Sequence, residues 1–421
     1  MTGTAVSQLL GIAVSPLLAR LYSPQDYAVL ALFSSFLGIG AVLAPLRFDQ
    51  IVAIPGSELE ARSAVGVAII LTVTAGLFVI LPVLVIYWLQ PIQFSSVHAY
   101  LWLAPFGLVA IGIYQTLQGW LLRTGDYMTL SRLRWRQSTV AIVTSVGLGL
   151  SISGAWGLVI GQIAQLFTGV LGEANKFRRP QTGNRGIFGK SIELRQTFAR
   201  YVGLAAGSAG AGVLNAISAA LPPILLIAAY GAEVAGSFSF AFRIISVPMA
   251  LIGTAASQLF MGEASRLLRD GNRNLIPLFN DATRKLMWVG VAMGVAGIIS
   301  PFGFPLVFGS KWGAAGMYGL MLSWVCAFQI VVSPVSVIAL LKKRQDVQIY
   351  LDCLRITAVS VALYLPAKLK LGPTATVAAY SFAMVFTYLI SFIWYHKLAH
   401  GSDIKFGETA LDQSNGEKRI V

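Results

Sequence analysis

Long apolar blocks separated by short polar breaks organise the chain from end to end. In the first half, apolar runs fall at Met1–Leu21, Tyr27–Leu46, Ala64–Leu89, Ala99–Leu122, Ser138–Ser153 and Gly157–Leu171. In the second half they fall at Tyr201–Ala229, Ala232–Phe260, Leu286–Phe308, Ala314–Leu341, Val347–Leu365 and Thr374–Tyr395. Roughly 20 apolar residues in a helix cross a hydrocarbon core about 30 Å thick. The pattern therefore predicts an all-α, polytopic membrane protein of about twelve transmembrane helices. The fifth and sixth runs are short and flank Gly154, so merging them changes the count by one.

Composition excludes a soluble alternative. The 421 residues are 56% hydrophobic and only 11% charged, with a mean hydropathy of +0.73, whereas soluble domains carry roughly 25% charged residues. A net charge of +14 would point to nucleic acid in a soluble chain. Here 25 of the 31 basic residues sit in the breaks that share a side with both termini. That bias predicts cytoplasmic N- and C-termini and membrane lipids as partners, with no nucleic acid. Cys326 and Cys353 lie inside apolar runs, and His98, His396 and His400 lack metal-ligand spacing, so no metal, cofactor or catalytic group is expected. No phosphate loop, nucleophile elbow or carboxylate pair appears either.

The two halves echo each other. Tyr22-Ser-Pro-Gln-Asp-Tyr-Ala28 leads into an apolar run, and Tyr230-Gly-Ala-Glu-Val-Ala-Gly236 does the same 208 residues later. Six spans per half give both halves one orientation, around an axis along the membrane normal. The expected domains are an N-terminal six-helix lobe (1–172), a basic cytoplasmic linker (173–200), a C-terminal six-helix lobe (201–396) and a polar cytoplasmic tail (397–421).

Ionisable groups inside apolar runs are costly and need a partner or a wet cavity. Arg243 is the foremost, because steps of three or four residues from it meet Gly236, Ser239, Ser246, Ala250 and Thr254. That polar stripe and the adjacent Pro248 point to a bent helix lining a cavity; a structural arginine bonded to a neighbouring helix is the alternative. Asn215 lies on a similar stripe of the seventh run, Gln8 on the first, and Gln115 with Gln118 on the fourth. Their amides suit sugar hydroxyls and equally suit helix-to-helix bonding. Arg20 closes the first run and Arg47 the second, with Asp49 two residues on. Arg20 joins the Gln8 stripe only if Pro16 kinks the helix, and interfacial snorkelling is its alternative role. Arg132, Arg134 and Arg136, interleaved with Leu133 and Trp135, read as an interfacial segment on anionic lipid.

Several phrases together resemble a known family. They are Gly3-Thr-Ala-Val-Ser-Gln8, Ser15-Pro-Leu-Leu-Ala-Arg-Leu-Tyr-Ser-Pro24 and Leu46-Arg-Phe-Asp-Gln-Ile-Val-Ala-Ile-Pro55, then Leu221-Pro-Pro, Tyr230-Gly, Ala235-Gly and Ala241-Phe-Arg-Ile-Ile-Ser-Val-Pro248 through Gln258. In order and spacing they resemble the bacterial O-antigen and lipid-linked oligosaccharide flippases of the multidrug, oligosaccharidyl-lipid and polysaccharide exporter superfamily. The resemblance implies two pseudo-symmetric six-helix bundles in the exporter fold of the MATE type, around a cavity opening alternately to either face of the bacterial cytoplasmic membrane. It implies an undecaprenyl-diphosphate-linked glycan as cargo, with a polysaccharide polymerase and a chain-length regulator as candidate partners. Related flippases use cations on their first, second and eighth helices; Arg20, Arg47 and Arg243 fall on those helices here. A multidrug or toxin exporter of the same superfamily is the alternative, and it would favour acidic cavity residues.

Overall fold

A computed structural model describes residues 2–89, 98–177, 191–269, 274–342 and 344–400. Among these residues every regular element is a helix. The first half contains α1 (Thr2–Leu21), α2 (Pro24–Leu43), the short α3 (Phe48–Ile51), α4 (Glu58–Leu89), α5 (Ala104–Arg123), α6 (Tyr127–Ser151) and α7 (Trp156–Phe177). The second contains α8 (Ser191–Tyr230), α9 (Ala232–Ile245), α10 (Val247–Arg269), α11 (Ile276–Ile298), α12 (Ser300–Phe308), α13 (Gly313–Val335), α14 (Val337–Leu341), α15 (Gln345–Lys368) and α16 (Pro373–Ala399). Met1, residues 90–97, the middle of the expected linker (178–190), 270–273, 343 and the tail from 401 lie outside the described residues.

Within the described residues every apolar run is helical, and local chemistry sets the breaks. Pro24 opens α2 behind a reciprocal cap in which Ser23 N–H donates to Asp26 Oδ2 at 2.8 Å and Asp26 N–H donates to Ser23 Oγ at 3.2 Å. Gly154, at φ +84°, separates α6 from α7, so the fifth and sixth runs are two helices. The eighth run bends by 46° between α9 and α10, and the ninth by 67° between α11 and α12. Pro248 and Pro301 stand just inside the second member of each pair, where their missing N–H costs nothing. By length and apolarity seven described helices qualify as membrane spans, or nine counting each bent pair as one. The expected twelve is not reached on that measure, partly because α6 carries three arginines near its start. The chain is nonetheless a multi-pass, all-helical membrane protein.

The helices run alternately between two ends. At the basic end, Leu275 N–H donates to Ala399 O at 3.1 Å, and Arg200 pairs with Glu60 at 3.0 Å. At the far end, Tyr230 OH donates to Gly372 O at 3.2 Å, and Ala155 N–H donates to Tyr100 OH at 3.0 Å. Within the first half, α6 packs on α1 and α7, and α5 on α4 and α7. Within the second, α13 packs on α9, α11 and α16, while α15 lies on α8 and α16. The halves meet chiefly along α2, which packs on α8 and α9.

Closure at the far end rests on aromatic packing. Tyr27 of α2 meets Phe240 of α9 with ring centroids 4.9 Å apart, and both meet Trp312, at 5.3 and 4.0 Å. Trp312 Nε1 donates to Ala19 O at 2.9 Å, and Lys311 Nζ donates to Tyr22 O at 2.8 Å and Arg20 O at 3.2 Å. These bonds satisfy carbonyls at the C-terminus of α1, which no intrahelical donor reaches. A Cβ on Gly236 would overlap the Pro24 carbonyl, so glycine there lets α9 approach α2 closely.

Candidate substrate cavity

A cavity of about 530 Å³ lies between the halves, beneath the Tyr27–Phe240 contact. Its walls come from helix faces at three- and four-residue spacing. From α1 come Gln8, Gly11 and Ser15; from α6, Arg134, Gln137 and Ser138; from α9, Phe240 and Arg243. Gln165 of α7 and Tyr114 of α5 complete the polar side. Ser138 Oγ donates to Ser7 O at 3.1 Å, and Gly3 N–H donates to Ser131 Oγ at 3.0 Å, holding α1 against α6. Among the described residues no Asp or Glu lines the cavity, and two arginines do.

Arg243 occupies the last turn of α9, just before the 46° bend. The bend leaves the carbonyl-rich end of α9 beside its charge, a favourable placement for a cation. Its side chain is exposed, and among the described residues it forms no salt bridge. Val247, the first residue of α10, lines the same void.

The other residues read from the sequence are dispersed. Gln8 shares the cavity with Arg243. Arg20 is exposed at the far-end terminus of α1 and does not line the cavity. Arg47, at φ +62°, lays its guanidinium against Gly212 of α8, with Nε buried and without a hydrogen-bond partner. Asp49 is buried on α3 with Oδ1 unpartnered; burial pushes its carboxyl above the usual range, and the nearby Arg47 opposes that shift. Gln115 and Gln118 are half-buried on α5 and do not line the cavity; Tyr114 of that helix does.

Asn215 belongs to another void, of about 220 Å³, within the second half. There Arg355 of α15 donates from Nη2 to Asp352 Oδ1 at 3.0 Å and to Asn215 Oδ1 at 2.9 Å, and from Nε to Ser218 Oγ at 2.9 Å. Gln348 Nε2 donates to Asp352 Oδ1 at 3.4 Å and its Oε1 accepts from Tyr395 OH at 2.7 Å. Sequence reasoning missed this cluster, although Asp352 and Arg355 at i, i+3 inside an apolar run were the available signal. It also missed Arg134. Residues two apart on a helix are separated by about 200°. Arg132 and Arg136 accordingly face outward, exposed, while Arg134 turns into the cavity, correcting the reading of all three as lipid-facing.

Comparison with known proteins bears on this arrangement. A family model described as polysaccharide biosynthesis protein matches residues 17–317. No curated protein matches the sequence. Among solved structures, the chain is similar to an inward-facing multidrug resistance MATE family transporter of the MOP superfamily. The two are 17% identical with a TM-score of 0.68, over 95% of this chain and 94% of that one. It is also similar to lipid II flippase MurJ in an inward closed conformation, 15% identical with a TM-score of 0.72, covering 94% and 86%. A variant of the MATE transporter VcmN from Vibrio cholerae is 14% identical with a TM-score of 0.60, over 96% and 95%. At these identities the likeness is one of fold.

Proposed function

Since the chain belongs to the polysaccharide biosynthesis protein family, we propose that it is a flippase for undecaprenyl-diphosphate-linked oligosaccharides of the bacterial cytoplasmic membrane. It moves them from the inner to the outer face for assembly of a surface polysaccharide such as O-antigen, capsule or exopolysaccharide. The observation that carries this reading is a central cavity holding Arg243 and Arg134 with no carboxylate lining it among the described residues, beside amides and hydroxyls of Gln8, Gln137, Ser138 and Gln165. A diphosphate needs fixed cations, and sugar hydroxyls need groups that donate and accept. A multidrug exporter for cationic drugs would favour the opposite charge in the same space.

The mechanism follows from which end is closed. Both termini and the basic end face the cytoplasm, so the cavity is sealed outward by Tyr27, Phe240 and Trp312. A headgroup entering from the inner leaflet meets Arg134 and then Arg243. Rocking the lobes 1–172 and 201–396 about the α2 contact parts the far end, including the Lys311 and Trp312 bonds to α1. Only the headgroup crosses a cavity; the tail stays in lipid, because a bare charge costs several kcal/mol or more at mid-bilayer. No covalent step is required, so the protein acts as a transporter and not as an enzyme.

The test is Arg243 itself. In a deletion strain, lipid-linked units should accumulate on the cytoplasmic face and surface polysaccharide should disappear. Arg243→Ala should fail to restore it while inserting normally, and Arg243→Lys should restore part. Full export by Arg243→Ala, or a deletion strain with normal polysaccharide and raised sensitivity to cationic dyes, refutes the reading.

A further inference from the structure

The aromatic seal at the far end has a cation on each side. On its inner side Phe240 lines the cavity one turn from Arg243, on the same face of α9. On its outer side Phe240 packs on Trp312, and Lys311 directly precedes Trp312 in the turn that opens α13. Lys311 directs its charge at neutral atoms. Its Nζ donates to Tyr22 O at 2.8 Å and Arg20 O at 3.2 Å, and among the described residues it forms no salt bridge. Asp26, close enough for its charge to reach Lys311, turns Oδ2 to the cap of α2. A neutral donor would serve the same carbonyls, as Trp312 Nε1 does beside it at Ala19 O. The carbonyl end of α1 favours a cation, but only weakly at a position as exposed as Lys311. The far end is also the side that the chain keeps poor in Lys and Arg. A full charge there exceeds what the closed state uses.

We propose that Lys311 is the outer acceptor of the cargo's diphosphate: as the headgroup passes from Arg243 beyond the Phe240–Trp312 contact, the ammonium exchanges the carbonyls of Tyr22 and Arg20 for phosphate oxygens, and the far end opens. The proposal rests on the flippase reading and adds the step that couples arrival of the cargo to opening. An ammonium bonded to phosphate is charge-assisted from both sides and held more strongly than one bonded to a carbonyl. The anion therefore binds the open state better than the closed one, which is the differential affinity that a ligand-driven shift requires. Tyr22 is buried and fixed to α6 by its OH, which donates to Ser145 O at 2.6 Å. Its carbonyl thus stays with the first half while Lys311 moves with the second, so the exchange releases one half from the other at this end.

The test follows opening of the far end in the purified full chain in nanodiscs, with inorganic diphosphate as the probe. Spin labels at Ser151→Cys, which ends α6, and Leu371→Cys, between α15 and α16, report the separation of the halves in a background without Cys326 and Cys353. The readout is the diphosphate concentration that gives half-maximal opening. Lys311→Met removes two closing bonds, yet should raise that concentration at least about tenfold, and Lys311→Arg should stay within about threefold of the wild type. Trp312→Phe removes one closing bond and keeps the ammonium, so it should lower the concentration. Should Lys311→Met or Trp312→Phe fail to fold, Lys311→Gln against Lys311→Arg decides by the same criterion. A Lys311→Met protein that opens at the wild-type concentration or below, or is already open without diphosphate, makes Lys311 a closing bond alone and overturns the proposal. A wild type that diphosphate does not open overturns it too. Arg243→Ala should also raise the concentration, because the anion arrives through the cavity; opening that needs Lys311 but ignores Arg243→Ala marks a site for free diphosphate at the outer face and overturns the hand-over. The flippase reading is judged separately, by export in the Arg243→Ala strain.

Discussion

Replacing Arg355 by methionine removes the cation that joins α15 to α8 and strands a carboxylate. Asp352 is 5% exposed, and its Oδ1 accepts from Arg355 and Gln348. Two effects contribute to the loss. The three hydrogen bonds from the guanidinium count for little, because polar bonds inside membrane proteins average about 0.6 kcal/mol each. The uncompensated buried charge dominates, at about 3–5 kcal/mol when one partner of a buried pair is removed. Asp352→Asn should cost less, since Arg355 keeps its bonds to Asn215 and Ser218. The double variant Asp352→Asn/Arg355→Met should cost clearly less than the sum, with a coupling of about 1–3 kcal/mol. Unfolding midpoints in mixed micelles of rising SDS content measure all four corners of the cycle. An Arg355→Met midpoint within about 0.5 kcal/mol of wild type, or strict additivity, refutes the argument.

Three further outcomes follow from other parts of the molecule. In a background without Cys326 and Cys353, Gln93→Cys should react with an impermeant reagent added outside and Gly183→Cys should not; the reverse pattern inverts the topology. Gly236→Ala should destabilise by about 1–3 kcal/mol through its clash with Pro24 O, whereas Gly253→Ala, whose new Cβ meets open space apart from Met249, should be neutral or stabilising; equal midpoints refute the close approach of α2 and α9. Asp49 has a raised pKa, so its ionised form opposes folding, and that penalty fades as pH falls through the raised value toward the ordinary one near 4. Asp49→Asn should therefore be more stable than wild type at neutral pH, with the gap closing on acidification; a gap unchanged by pH refutes the assignment.

Helices were legible in the sequence because each apolar run must satisfy its own backbone hydrogen bonds in lipid, and only a helix does so within one segment. The breaks were legible for equally local reasons: Gly154 takes a positive φ, and Ser23, Pro24 and Asp26 build a cap from adjacent residues. Arg243 stood out because a charge in an apolar run needs an explanation wherever it points. Which polar residues share a space was not legible. A glutamine that binds sugar and one that binds a neighbouring helix occupy the same stripe, and only packing separates Gln8, in the cavity, from Gln115 and Gln118, outside it. Asn215 and Arg355 meet across 140 positions, and Tyr27, Phe240 and Trp312 close one end from three distant segments. Arg134 turns inward between two outward arginines because α6 packs on α1. Hydrophobicity along the chain selects helices and their ends, while the burial of one helix face against another decides which side chains confront each other across a void.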